Sequence, residues 1–114
     1  QNLIILGHSN CGGVEYSYKT LLDKKNINDF EYINQWVSCL QKSYNNIPND
    51  FSETEKITFF EQENIKQSIK NLREYDFVDK LINENKLNVI GLWYQINSGL
   101  IKFLDKNNSF IDLD

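Results

Sequence analysis

A histidine and a cysteine stand three residues apart in the string Gly7-His8-Ser9-Asn10-Cys11-Gly12-Gly13, and no other stretch of the chain is as well equipped for chemistry. Imidazole and thiolate are both good ligands for zinc, and on a loop fixed by glycines the two can reach one tetrahedral ion. The residues after Cys11 have helical spacing, so unpaired amides and the positive end of a helix dipole favour an anion such as a thiolate there. Spacing alone leaves two other readings open. Cys11 could be a nucleophile on a strand-to-helix elbow, but the chain's sole histidine, His8, is the only base of that kind on offer, and it lies on the same turn. More plainly, His8 is a loop histidine and Cys11 a small buried filler, since short metal motifs often match by chance.

The elements that position this loop read clearly on either side of it. Residues 2 to 7, Asn-Leu-Ile-Ile-Leu-Gly, form a continuous apolar run of the kind that suits a strand buried on both faces of a parallel sheet. Val14, Tyr18, Leu21 and Leu22 then repeat at helical spacing to about Lys25. Asp29 is placed to cap a second helix whose stripe is Phe30, Ile33, Val37, Leu40 and Tyr44. Ser52 and Glu55 have capping-box spacing before a long third helix through Ile57, Phe60, Ile65, Ile69 and Leu72, and a short fourth helix holds Phe77, Val78, Leu81 and Ile82. Leu87 to Tyr94 reads as a second strand, and Asn97-Ser98-Gly99 turns it back into Leu100 to Leu104.

This order predicts a single α/β domain over residues 1–114, with a partly parallel sheet flanked by helices and an antiparallel C-terminal return strand. Two parallel strands and one return make a small sheet, and the hydrophobic run at 2 to 6 calls for neighbours on both sides. The chain opens on Gln1 with apolar residues immediately after it, so the sheet is expected to be incomplete, with strands missing before Gln1.

Charge and composition narrow the class. Twelve basic against sixteen acidic residues give a net charge of −4, and the lysines are scattered singly, which excludes the electrostatic footprint of a nucleic-acid or anionic-membrane binder. No apolar run approaches the roughly 18 residues of a membrane span. Two cysteines are too few for a disulfide scaffold, and no targeting segment is readable, so a cytoplasmic setting is expected.

The string Gly7 to Gly13 after a hydrophobic strand resembles the zinc-ligand motif of the β-class carbonic anhydrases. The likeness continues through Trp36, Glu63-Asn64-Ile65 with Gln67, Asn71-Leu72, and Leu87 to Tyr94 followed by Ile96 and Gly99, so it spans nearly the whole chain as that family's C-terminal portion. The resemblance implies zinc-dependent, reversible hydration of carbon dioxide to bicarbonate by zinc-bound hydroxide. His8 and Cys11 would be two of three protein ligands to zinc, and Gly12 and Gly13 would let backbone and substrate approach closely. It also implies a homodimer or higher even oligomer. Members of the family take the third ligand from a Cys-x-Asp-x-Arg motif on an earlier strand. Here no cysteine precedes Cys11, and Arg73 is the only arginine, so this chain alone would carry part of the site and be inactive. The alternative is a truncated, non-catalytic relative that retains fold and interface.

The remaining polar and aromatic residues have plainer expectations. Cys39, beside Leu40, reads as a buried or half-buried structural cysteine. Trp36, Trp93 and Tyr94 read as core or interface aromatics. Glu61 and Glu63, two apart on a helix, face different directions and read as a solvated helix surface. Asn64 and Gln67 are the polar residues of the long helix expected to hydrogen-bond the ligand loop.

Overall fold

A computed structural model describes residues 1–23 and 31–113. Strand β1 spans Asn2–His8 and leads through Ser9 to Cys11 into helix α1, Gly12–Asp23. Helices α2 (Glu31–Val37) and α3 (Gln41–Tyr44) flank a 3-10 turn at Ser38–Leu40. The long helix α4 is Glu53–Arg73 and the short α5 is Asp76–Asn83; β2 (Asn88–Gln95), β3 (Leu100–Leu104) and β4 (Phe110–Asp112) complete the chain. Asp29, Phe30 and Lys25 lie outside the described residues. No helix among the described residues is long and apolar enough to cross a membrane.

The fold is α/β, with a mixed sheet in the order β1-β2-β3-β4. β1 and β2 pair in parallel from Asn2 opposite Asn88 to His8 opposite Tyr94, and β3 and β4 follow antiparallel. Because side chains alternate across a strand, Gly7, Gly91 and Trp93 share the face on which α4 lies. Glycine is required at Gly7: an added Cβ would lie 2.6 Å from Ile65 Cδ1, so only a bare backbone lets α4 come this close to the sheet.

β1 departs from the double burial expected of it. Ile4 is 56% and Leu6 61% exposed, because α4 covers one face only and β1 is the edge strand among the described residues. The opposite face is apolar and open, with Ile111 of β4 also exposed.

Both turns of the β2–β3–β4 meander have local causes. Gly99 adopts φ +71° and its N–H donates to the Gln95 carbonyl. Past β3, Asp105 Oδ1 accepts from the amides of Asn107 and Ser109, both at 2.9 Å, while Asn108 takes φ 63°. This turn creates β4, a strand absent from the sequence reading.

The expected stripes hold in part: Val14, Tyr18, Val37, Leu40, Phe60, Ile65 and Val78 are buried, whereas Leu22, Ile33 and Phe77, expected on the same stripes, are exposed. The capping box at α4 is complete: Ser52 Oγ accepts from the Glu55 amide, and Glu55 Oε2 accepts from the Ser52 amide at 2.7 Å. Val14, Tyr18, Leu40 and Phe60 form the buried cluster between α1, the 3-10 turn and α4. The second helix is not continuous. Three residues per turn at Ser38–Leu40 bring Val37 and Leu40 inward together, and Cys39 between them turns out to solvent. The buried or half-buried Cys39 expected from its neighbour Leu40 is therefore corrected: its thiol is exposed and donates to the Trp36 carbonyl at 2.9 Å.

Candidate metal centre

The loop that carries His8 and Cys11 leaves the C-terminal end of β1, the end at which parallel sheets place their functional loops. Ser9 ties it to the end of β2 twice: the Ser9 amide donates to the Tyr94 carbonyl at 2.8 Å, and Ser9 Oγ accepts from the Ile96 amide at 2.9 Å. Asn10 turns the chain in the left-handed region at φ 55°, a conformation asparagine tolerates better than most residues. Cys11 then occupies the cap of α1, its carbonyl accepting from the Glu15 amide at 2.9 Å.

His8 is half-buried, and its Nδ1 lies 2.8 Å from the Ser9 carbonyl. A carbonyl can only accept, so this contact puts the proton on Nδ1 and leaves Nε2 with a free lone pair. That is the arrangement in which metal-bound histidines are held by an outer partner. Cys11 is half-buried and free. With Ser9 and Asn10 it lines a cleft of about 390 Å³ that Tyr18, Thr58 and Glu61 also line; His8 is not part of that lining. The two glycines differ. Gly12 faces open space, while Gly13 is covered by the Trp36 ring, whose edge would be 3.1 Å from an added Cβ.

One imidazole and one thiol on a fixed loop are ligand types that suit zinc. The set is short in number: among the described residues, no group of three His, Cys, Asp or Glu side chains stands together to hold a metal ion. Cys39, on the 3-10 turn, is not among the residues that line the cleft with Cys11.

The residue that sequence reading misplaced is Glu61. Expected on a solvated surface, it is 4% exposed, and its Oε2 accepts from the buried indole Nε1 of Trp93 at 3.3 Å. Burial raises its pKa, against the opposing effect of hydrogen bonds from Trp93 and from the backbone amides of Cys11 and Asn10, and of the nearby His8. Glu63 is corrected too. It is 9% exposed, accepts from Asn46 Nδ2 at 3.0 Å and faces Lys66 Nζ at 3.6 Å, so the two carboxylates do point apart, but both into packed surroundings. Gln67 is turned along the helix to Asn71, at 2.7 Å, and the Asn64 carbonyl accepts from Ser68. The polar α4 side chain that lines the cleft with the loop is Glu61, whereas Gln67 is turned to Asn71. A signal was present: Ile57, Glu61, Ile65 and Ile69 are spaced by four, so Glu61 lies on the buried stripe itself.

Comparison with known proteins converges on one family. Residues 1–101 match the family model described as carbonic anhydrase. The chain is 32% identical over 107 residues to a carbonic anhydrase of Helicobacter pylori, covering 89% of this chain and 47% of that protein. It superposes on tetrameric β-carbonic anhydrases of Sordaria macrospora with a TM-score of 0.72 at 26% identity, covering 90% of this chain and 51% of the other. For the β-carbonic anhydrase CafA of Aspergillus fumigatus the TM-score is 0.74 at 26% identity, over 91% of this chain and 48% of that one. The chain spans about half the length of the relatives it matches.

Proposed function

The chain belongs to the β-carbonic anhydrase family, and from that membership we propose that it forms part of an enzyme hydrating carbon dioxide reversibly to bicarbonate and a proton. One observation carries the reading: a loop at the C-terminal end of a parallel strand holds His8 with Nδ1 bonded to a carbonyl and Nε2 free, three residues before an unpaired thiol. His8 and Cys11 are the zinc ligands this chain supplies, with the third protein ligand coming from outside these residues. Zinc, when bound, would lower the pKa of a coordinated water to near neutrality and so supply the nucleophile for carbon dioxide.

The chain's own contribution is to fix the loop. Ser9 locks it to Tyr94 and Ile96, and Cys11 sits at the cap of α1, its carbonyl accepting from the Glu15 amide. Gly12, with open space beside it, leaves the backbone accessible to substrate. Gly13 gives the Trp36 ring its seat against the same stretch.

The protein assembles as a homodimer or higher even oligomer, a reading supported by the apolar sheet face that bears Ile4, Leu6 and Ile111 and by the tetramers of the Sordaria relatives. The free thiols of Cys11 and Cys39 suit a cytoplasmic location. A second reading, a non-catalytic relative that keeps fold and interface, is favoured by the want of a third ligand among the described residues. Zinc content and carbon dioxide hydration of the full natural protein separate the two. The enzyme reading expects both, lost in His8→Ala and Cys11→Ser. Absence of both from the parent protein establishes the second reading.

A further inference from the structure

A carboxylate with 4% exposure and, among the described residues, no ion pair needs N–H donors, because an unsatisfied charge is costly to bury. Glu61 has one such donor in a hydrogen bond and faces others across a shared cleft. On one side is the Trp93 indole, itself buried on β2. On the other is the backbone of the ligand loop at Asn10 and Cys11, which line the same cleft as Glu61. These amides have no helical acceptor, since they precede the first turn of α1. A Cβ added at Gly7, one residue before His8, would lie 3.8 Å from the Glu61 carbonyl oxygen, so α4 runs close to the strand end at this level.

The geometry points to Glu61 as the positioning residue of the ligand loop: its buried carboxylate bridges the Trp93 indole to the Asn10 and Cys11 backbone and so fixes where the Cys11 thiol stands. Ionised, the group is acceptor-only, with about four lone-pair sites for these donors. An amide in its place offers one acceptor oxygen and turns an NH2 group toward N–H donors, so Glu61→Gln keeps the volume and loses the match. Holding the loop follows from these contacts alone; the effect on zinc rests on the function proposed above.

The test uses the full natural protein, its Glu61→Gln variant and its Trp93→Phe variant. Hydrogen exchange at the Asn10 and Cys11 amides is followed by NMR without metal, and zinc affinity is measured separately. Glu61→Gln is expected to speed exchange at those two amides by at least about tenfold, leave Ile90 in the centre of β2 unchanged, and raise the zinc dissociation constant by about 10–100-fold. Trp93→Phe, which removes one donor and keeps the charge, is expected to give a smaller change of the same sign, and it carries the test if Glu61→Gln does not fold. Unchanged exchange at Asn10 and Cys11 in a folded variant overturns the assignment. Should the parent protein bind no zinc while the loop amides still respond, the proposed function falls and the role of Glu61 stands.

Discussion

Cys11 lies on a loop held by residues of α4 and β2, whereas Cys39 lies in a 3-10 turn held by its own neighbours. Ser9 joins the first loop to Tyr94 and Ile96, more than eighty residues away in the chain, and Glu61 adds a buried contact from α4. At the second, the thiol donates to the carbonyl of Trp36, three residues back, and faces solvent. The two cysteines share an element type, a turn beside a helix. They differ in whether distant parts of the chain fix the backbone, and that decides which of them can serve as a ligand with defined geometry.

The largest effects should fall on the Cys11 loop. On the proposed ligand set, Cys11→Ser and His8→Ala each remove a ligand, so zinc affinity should drop by more than the ~10–100-fold that outer partners cost, while Cys39→Ala leaves it unchanged. Metal analysis after dialysis checks this, and zinc loss from the Cys39 variant would break the comparison.

Gly7→Ala and Gly12→Ala sharpen it within the loop. The first drives a Cβ to 2.6 Å from buried Ile65 and should destabilise by about 1–3 kcal/mol, whereas the second meets open space at the start of α1 and should cost little. Denaturant melts of the two variants measure the difference.

Ser52→Ala removes the cap of α4, two turns before Glu61, and should cost about 1 kcal/mol without changing zinc affinity. The pH dependence has a definite sign. The Ser52 amide first, and then the Ser52 side chain that the alanine variant lacks, hold Glu55 below its ordinary 4.5, so the contribution of Glu55 is present above that value and is lost as pH falls from 4.5 through the lowered folded pKa. Acid melts of the parent should show this loss, and those of Ser52→Ala should show less of it.

Cys39→Ala itself should shift stability by no more than about 0.5 kcal/mol, the range of an exposed side chain with one local bond.

Local signals were the legible ones. The apolar run at residues 2 to 6, the capping box at Ser52 and Glu55 and the turn at Gly99 each state their structure within a few residues, and the parallel pairing of β1 with β2 follows from the helices between them. β4 escaped because a three-residue strand has almost no periodicity, although Asp105 to Ser109 carries evident turn chemistry. The break at Ser38–Leu40 escaped because residues of one stripe at spacings of three and four fit both an α-helix and a 3-10 interruption. Glu61 escaped for a different reason. A charge on an apolar stripe is read as surface unless its partners are known, and these are the backbone of a loop fifty residues upstream and an indole thirty-two residues downstream.

The central claim, that the His8–Cys11 loop is a zinc loop, is tested most directly by zinc-edge X-ray absorption on the metal-loaded natural protein and its Cys11→Ser variant. A parent shell containing sulfur at about 2.3 Å and nitrogen, with one sulfur missing in the variant, is the predicted result. An identical shell in the two proteins would contradict it.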